Sequence, residues 1–94
     1  MSRKAFDLDS RVALITGSTM GLGRATAQVL AEHGAHVVIS SRKQDACDTV
    51  AAEFRELGLS AEGRACHIGD EDAVAAMYAH LKERHGRLDI LVNN

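Results

Sequence analysis

Three glycines constrain this chain more than any other feature. An apolar run of the buried-strand type, Val12-Ala13-Leu14-Ile15, leads directly into Thr16-Gly17-Ser18-Thr19-Met20-Gly21-Leu22-Gly23, a G-x-x-x-G-x-G pattern that opens a helix. The bare pattern is a weak signal, and its place between strand and helix makes it a strong one. Gly17 permits a tight turn without a Cβ, the amides around Met20 to Leu22 are free to approach a pyrophosphate, and Gly23 lets helix and strand pack closely. The helix N-terminus adds unpaired N–H donors and partial positive charge. Ser18 and Thr19 are expected to add hydroxyl donors. The bland alternative is a glycine turn that serves packing alone. A nucleoside-triphosphatase loop is excluded, because no Gly-Lys-Ser or Gly-Lys-Thr follows.

The rest of the chain repeats the same alternation of short apolar runs and helix-period segments, a βαβαβαβ string. Leu22, Ala25, Thr26, Val29, Leu30 and His33 recur at helical spacing, and Gly34 stops that helix. Val37-Val38-Ile39 is the second strand. Cys47, Val50, Ala51, Phe54 and Leu57 mark a second helix closed by Gly58, followed by a third strand around Ala61 to Cys66. Asp70 caps a third helix with the stripe Val74, Met77, Tyr78 and Leu81, ending near Gly86, and Ile90-Leu91-Val92 is the fourth strand. Crossovers of helix length force parallel pairing with right-handed connections, so the expectation is α/β: a doubly wound parallel sheet of the Rossmann type.

Composition agrees with a single folded domain spanning 1–94. The chain has 94 residues, 46% hydrophobic and 26% charged, which is inside the globular range and too short for a separate substrate domain. Eleven Lys and Arg oppose thirteen Asp and Glu, for a formal charge of -2, so nucleic acid is an unsuitable partner. No apolar stretch is long enough to span a membrane, and the residues from Met1 to Asp7 have no hydrophobic run behind their charges, which points to a cytoplasmic protein. Cys47 and Cys66 lack C-x-x-C or metal-ligand spacing and read as two free thiols. His33, His36, His80 and His85 show no metal-motif spacing; surface or helix-end roles are expected, and no metal.

The end of the second strand bears on the ligand. In dinucleotide-binding folds an acid about 20 residues past the loop bonds the ribose hydroxyls. Here that place is Ser40-Ser41-Arg42-Lys43, and no acid stands between Glu32 and Asp45. A 2′-phosphate would gain charge-assisted bonds from Arg42, with Ser41 donating and Lys43 adding field, so NADP(H) is favoured over NAD(H). The bland alternative is a solvated basic loop.

Together these residues resemble the N-terminal part of a short-chain dehydrogenase/reductase, from about Phe6 to Asn94. The carriers are the Thr16-Gly17-x-x-x-Gly21-x-Gly23 loop, its lead-in strand, and Asp89-Ile90-Leu91-Val92-Asn93-Asn94, which is similar to the start of the family's Asn-Asn-Ala-Gly motif. Ser40-Ser41-Arg42-Lys43 and Cys66-His67-Ile68-Gly69 are similar to a subgroup of NADP-dependent carbonyl and retinol reductases. The resemblance implies strand order 3-2-1-4, with Asn93 and Asn94 lining the adenosine side and tying the fourth strand to its neighbours. Many members carry Asp-Val where this chain has His67-Ile68. His67 either stacks on or bonds the adenine edge, or merely fills space.

The family transfers hydride between a nicotinamide and a small carbonyl or alcohol, using a Tyr-x-x-x-Lys acid/base pair and a Ser. The resemblance places that pair downstream of Asn94. Tyr78 and Lys82 have the spacing, but Tyr78 lies on the apolar stripe of the third helix, and Ala65 stands roughly where the Ser would fall. Tyr78 is therefore expected to pack in the core, and no catalytic residue is expected in the chain. The expectation is the nucleotide-binding portion of an enzyme whose complete form is a homo-oligomer. As an isolated piece it would be inactive, with a hydrophobic edge, marginal stability and a tendency to aggregate. A non-catalytic module that binds or senses NADP(H) is the alternative.

Overall fold

The computed structural model describes residues 7–94. The segment from Met1 to Phe6, read above as lacking a leader, lies outside the described residues. The elements run β1 (Val12–Ile15), α1 (Gly21–Glu32), β2 (His36–Ile39), α2 (Gln44–Glu56), β3 (Ala61–Gly63), α3 (Glu71–His85) and β4 (Ile90–Val92). The strands form one parallel sheet in the order β3-β2-β1-β4, as the resemblance implied. Ala13 is level with Val37 on one side and Ile90 on the other.

Strand residues alternate between two cores, because successive side chains point to opposite faces of a sheet. Ala13, Ile15, Val37 and Ile39 meet Ala27, Ala31, Val50 and Phe54 from α1 and α2. Val12, Leu14 and Val38 meet Met77 and Leu81 of α3, with Tyr78 partly buried against them. Both strand faces are covered, so β1 and β2 are apolar throughout rather than alternating. Among the described residues, β4 pairs with β1 alone, and Leu91 stays 42% exposed.

Three readings of the sequence need correction. The buried face of α1 is Gly23, Ala27 and Ala31, not the stripe through Leu22 and Val29, which are 75% and 52% exposed. Close contact at Gly23 fixes how the helix is rotated, and only small side chains fit between helix and sheet at that distance. Leu57, expected on the inner face of α2, is exposed at its C-terminal cap. Strand β3 ends at Gly63 rather than reaching Cys66. There the side chain of Gln44 replaces a neighbouring strand: its Nε2 donates to Gly63 O (2.9 Å) and its Oε1 accepts from Ala65 N (2.8 Å). The Asp70 cap is present, with Oδ1 accepting from Ala73 N, and Gly86 closes α3 in the left-handed conformation (φ 76°).

Candidate functional site

The glycine loop is stapled on both sides by hydroxyls at the C-terminal ends of three strands. Thr16, buried, donates its N–H to Val92 O (3.0 Å) and its hydroxyl to the same oxygen (3.3 Å), and accepts from Asn94 N (3.1 Å). Ser18, fully buried, donates its N–H to Ser40 O (3.0 Å) and its hydroxyl to Ile15 O (2.6 Å), and accepts from Ser40 N (2.9 Å). Ser18 therefore offers no hydroxyl to a ligand, contrary to the sequence reading. Its polar groups are consumed holding the loop to β2, where a buried unpaired amide would be costly. Past the second staple, Thr19 is half-buried and Met20 and Gly21 are exposed, Met20 with 74% of its surface.

The glycines divide into two roles. A Cβ at Gly23 would overlap the Gly17 carbonyl oxygen and lie 2.7 Å from Asn94 Nδ2, so this glycine is a packing requirement. Gly17 and Gly21 both have left-handed φ, 61° and 60°, and nothing lies within 4 Å of a Cβ built at Gly21. The turn thus opens onto free space at the mouth of α1. Met20, the N-terminal cap of α1, makes no side-chain capping bond, and the first turn holds no acid. By contrast, α3 has its Asp70 cap and two first-turn acids, and α2 has Asp45. Among the described helices α1 alone lacks both a side-chain capping bond and a first-turn acid, which suits its first-turn amides to an outside anion.

Beside that mouth lies a cleft of 710 Å³ lined by Thr19, Met20, Ser41, Arg42, Lys43, Ala46 and His67. It adjoins a smaller hollow of 180 Å³ formed by Gly17, Ser41, Arg42, Cys66, Ile68 and Asn94. No carboxylate lines either space. Neither Arg42 nor Lys43 is ion-paired among the described residues, although Arg11, Arg24, Arg64, Arg84 and Arg87 all are. Arg55 instead donates to Ala61 O. An arginine with five donors and no partner at a cleft wall is the most available anion ligand on this surface. Ser41 is partly committed: its Oγ accepts from Lys43 N (3.3 Å) and contacts Cys47 Sγ (3.3 Å). The exposed His67, on the cleft wall, has its Nδ1 accepting from Gly69 N (3.1 Å).

The structure therefore gathers Gly17, Thr19, Met20, Ser41, Arg42, Lys43, His67, Ile68 and Asn94 around two joined spaces. It places Ser18 beneath them, and the side chain of Leu22 outside them in solvent. Asn93 is turned to a separate hollow of 260 Å³ on the α3 face, shared with Ile68, Met77 and Tyr78. Asn94 does tie β4 to the loop, through its N–H to Thr16 and through Nδ2 to Gly17 O (3.4 Å). Thr16, Ala46 and Cys66 belong to the site and were not singled out in the sequence; the position of Cys66, adjoining His67-Ile68, was the available signal. Burial, and then the charge of Asp70, push the Cys66 thiol above its ordinary value, so it is a wall rather than a nucleophile. Cys47 and Cys66 are both free thiols, as expected. No helix among the described residues is long and apolar enough to cross a membrane.

Known proteins share this fold. The chain is 46% identical over 87 residues to dehydrogenase/reductase SDR family member 4 of Bos taurus, covering 93% of this chain and 31% of that protein. A hydroxysteroid dehydrogenase from Escherichia coli has the same fold with a TM-score of 0.92 and 35% identity, over 99% of this chain and 40% of that one. A metagenomic short-chain oxidoreductase solved in complex with NADP superposes with a TM-score of 0.88 and 39% identity, over 93% of this chain and 39% of that one. The chain spans about a third of the length of the curated relatives it matches. Residues 11–94, from the strand before the glycine loop to the second asparagine, match the short chain dehydrogenase family, and the chain belongs to it.

Proposed function

We propose that this chain is the nucleotide-binding portion of an NADP(H)-dependent oxidoreductase that moves a hydride between the nicotinamide and a carbonyl or alcohol carbon. One observation carries the cofactor choice: Arg42, without a carboxylate partner, stands with Lys43 and Ser41 on the wall of an acid-free cleft beside the glycine loop. NAD(H) would need an acceptor for its ribose hydroxyls at this wall, and NADP(H) brings a phosphate that the guanidinium can bond in two places. The NADP bound by the metagenomic relative supports the same reading.

Each residue has a distinct task. The first-turn amides of α1 hold the diphosphate, and Gly21 leaves room for it. Gly17 and Gly23 keep the loop low against β1. Arg42, Lys43 and Ser41 take the 2′-phosphate. His67, Ile68 and Asn94 border the adenosine, with Asn93 on the adjoining α3 face. The bound nicotinamide supplies the hydride chemistry, and the family's Tyr-x-x-x-Lys pair, downstream of Asn93-Asn94, supplies the proton. Tyr78 packs with Met77 and Leu81 against the sheet and is not that Tyr.

Fluorescence titrations with NADPH and NADH test the proposal. Arg42→Gln should lower NADPH affinity by about ten- to a hundredfold, the worth of a charge-assisted hydrogen bond, and leave NADH affinity almost unchanged. Equal affinities of the unaltered protein for the two cofactors would refute the assignment.

A further inference from the structure

His36 begins β2, Glu62 sits in the middle of β3, and His85 ends α3, at the opposite end of β2 from the nucleotide cleft. His36 Nε2 lies 2.8 Å and His85 Nε2 2.6 Å from the same oxygen, Glu62 Oε1. The two rings are 4.8 Å apart and tilted by 46°. His85 keeps the helix-end place expected of it, but it and His36, far apart in sequence, converge on Glu62 through the fold, which no spacing in the sequence indicates. We propose that His36, Glu62 and His85 form a binding site for a divalent transition-metal ion of the Zn²⁺ type, joining α3 to the sheet.

Two neutral imidazoles and a carboxylate are a donor set that suits Zn²⁺ and leaves a fourth position for water. The ligand atoms already lie within 4.8 Å of one another. Tetrahedral ligands on bonds of about 2.1 Å stand about 3.4 Å apart, so Glu62 Oε1 has to withdraw from the two nitrogens by less than about 1 Å. The two nitrogens, as far as 4.8 Å apart, must also close by up to about 1.4 Å, an adjustment that falls to rotation of the three side chains.

The surrounding groups aim these ligands. Ser60 Oγ lies 2.6 Å from His36 Nδ1 and can accept its proton, so that Nε2, which donates to Glu62 Oε1 in the metal-free protein, becomes a ligand once the ion displaces its proton to solvent. Arg64 Nε donates to Glu62 Oε2 (3.0 Å), which keeps Oε1 toward the imidazoles. The three side chains are 25%, 15% and 19% exposed, shielded enough to hold their geometry yet open to an incoming ion. The last turn of α3 adds the negative end of a helix dipole. Against the ion stand the guanidiniums of Arg64 and of Arg84, whose Nε is 3.8 Å from Oε2. Their repulsion lowers the affinity, and relieving it is a specific signature: Arg84→Gln should bind the metal more tightly, by about threefold, because the residue is half exposed and screened.

The test uses the protein freed of metal with a chelator and titrated with Co²⁺, read as the visible absorption of a tetrahedral ion, and with Zn²⁺ by calorimetry. One Zn²⁺ per chain is expected, with a raised thermal midpoint. His36→Ala and His85→Ala should each weaken binding at least about tenfold, as should Glu62→Gln, whereas His80→Ala and Cys66→Ala should not. His85→Gln, which keeps a donor to Glu62, replaces His85→Ala if circular dichroism shows that variant unfolded. The proposal is overturned if the unaltered protein gives neither a tetrahedral Co²⁺ spectrum nor Zn²⁺ heat. It is overturned equally if a folded His36→Ala/His85→Gln double variant binds Zn²⁺ as well as the unaltered protein.

Discussion

Gly23 and Gly21 stand two residues apart in the same turn and should fail in different ways when replaced. At Gly23 an added methyl overlaps the Gly17 carbonyl oxygen and lies 2.7 Å from Asn94 Nδ2 and 2.9 Å from the Gly17 carbonyl carbon. Ordinary contacts begin near about 3.5 Å, so α1 has to retreat by roughly 1 Å from a main-chain wall that cannot rotate aside. Overpacking of this kind costs about 1–3 kcal/mol, and the better helix propensity of alanine returns at most about 1 kcal/mol. Gly23→Ala should therefore lose about 1–2 kcal/mol of stability and, with its first-turn amides displaced, also bind nucleotide less well.

At Gly21 nothing lies within 4 Å and φ is 60°. Asparagine tolerates that conformation better than other L-residues, which pay roughly 1–2 kcal/mol there. Gly21→Asn should thus stay near the original stability while its side chain occupies the space reserved for the diphosphate, weakening NADPH binding at least about tenfold. Urea unfolding followed by circular dichroism gives the first quantity and NADPH fluorescence the second. If Gly23→Ala is as stable and binds as tightly as the unaltered protein, the close-packing argument is wrong. If Gly21→Asn binds NADPH normally, the diphosphate does not lie at the mouth of α1.

Two further perturbations separate the supports of the site. Ser18→Ala leaves the buried Ser40 N–H without its acceptor and should cost about 1–3 kcal/mol in urea unfolding; a loss below about 0.5 kcal/mol would show that the loop is not held by this hydroxyl. Asp89 joins β4 to β1, exchanging hydrogen bonds with the Val12 main chain (2.8 and 2.9 Å). Hydrogen bonds first from Arg87 and then from Val12 N hold its carboxyl below the ordinary range. Its contribution is complete above the unfolded value of about 3.9 and disappears as pH falls through the lower folded value. Thermal melts from neutral pH to about pH 3 should show a steeper acid loss for the unaltered protein than for Asp89→Asn, and superimposable profiles would remove Asp89 from the account.

The strands and the nucleotide loop were legible because their signals are local. Val12-Ala13-Leu14-Ile15 can be buried on both faces, and glycines at 17, 21 and 23 have few uses between a strand and a helix. What was misread depended on distance in the fold. The inner face of α1 is set by contact with Gly17 and Asn94, 77 residues apart from one another, so the larger side chains at Leu22 and Val29 drew attention to the wrong stripe. Ser18 looks like a ligand donor until Ser40 comes beside it, and the amide of Gln44, which no periodicity announces, takes Gly63 O and Ala65 N while Arg64 and Cys66 keep their bonds to Ile39 and Ser41. The meeting of His36, Glu62 and His85 needs three elements to be brought together before it exists at all.

Thr16 and Ser18 hold the two flanks of the loop to the tips of β4 and β2 as soon as the sheet forms. The loop is consequently preorganised, and under the proposed function capture of a nucleotide leaves only Thr19, Met20 and Gly21 to settle around it. The same hydroxyl link runs through Asn94, so any shift of Asn94 is felt directly at the glycine turn. By reciprocity, a ligand that fixed the turn would steady the asparagine bonded to it.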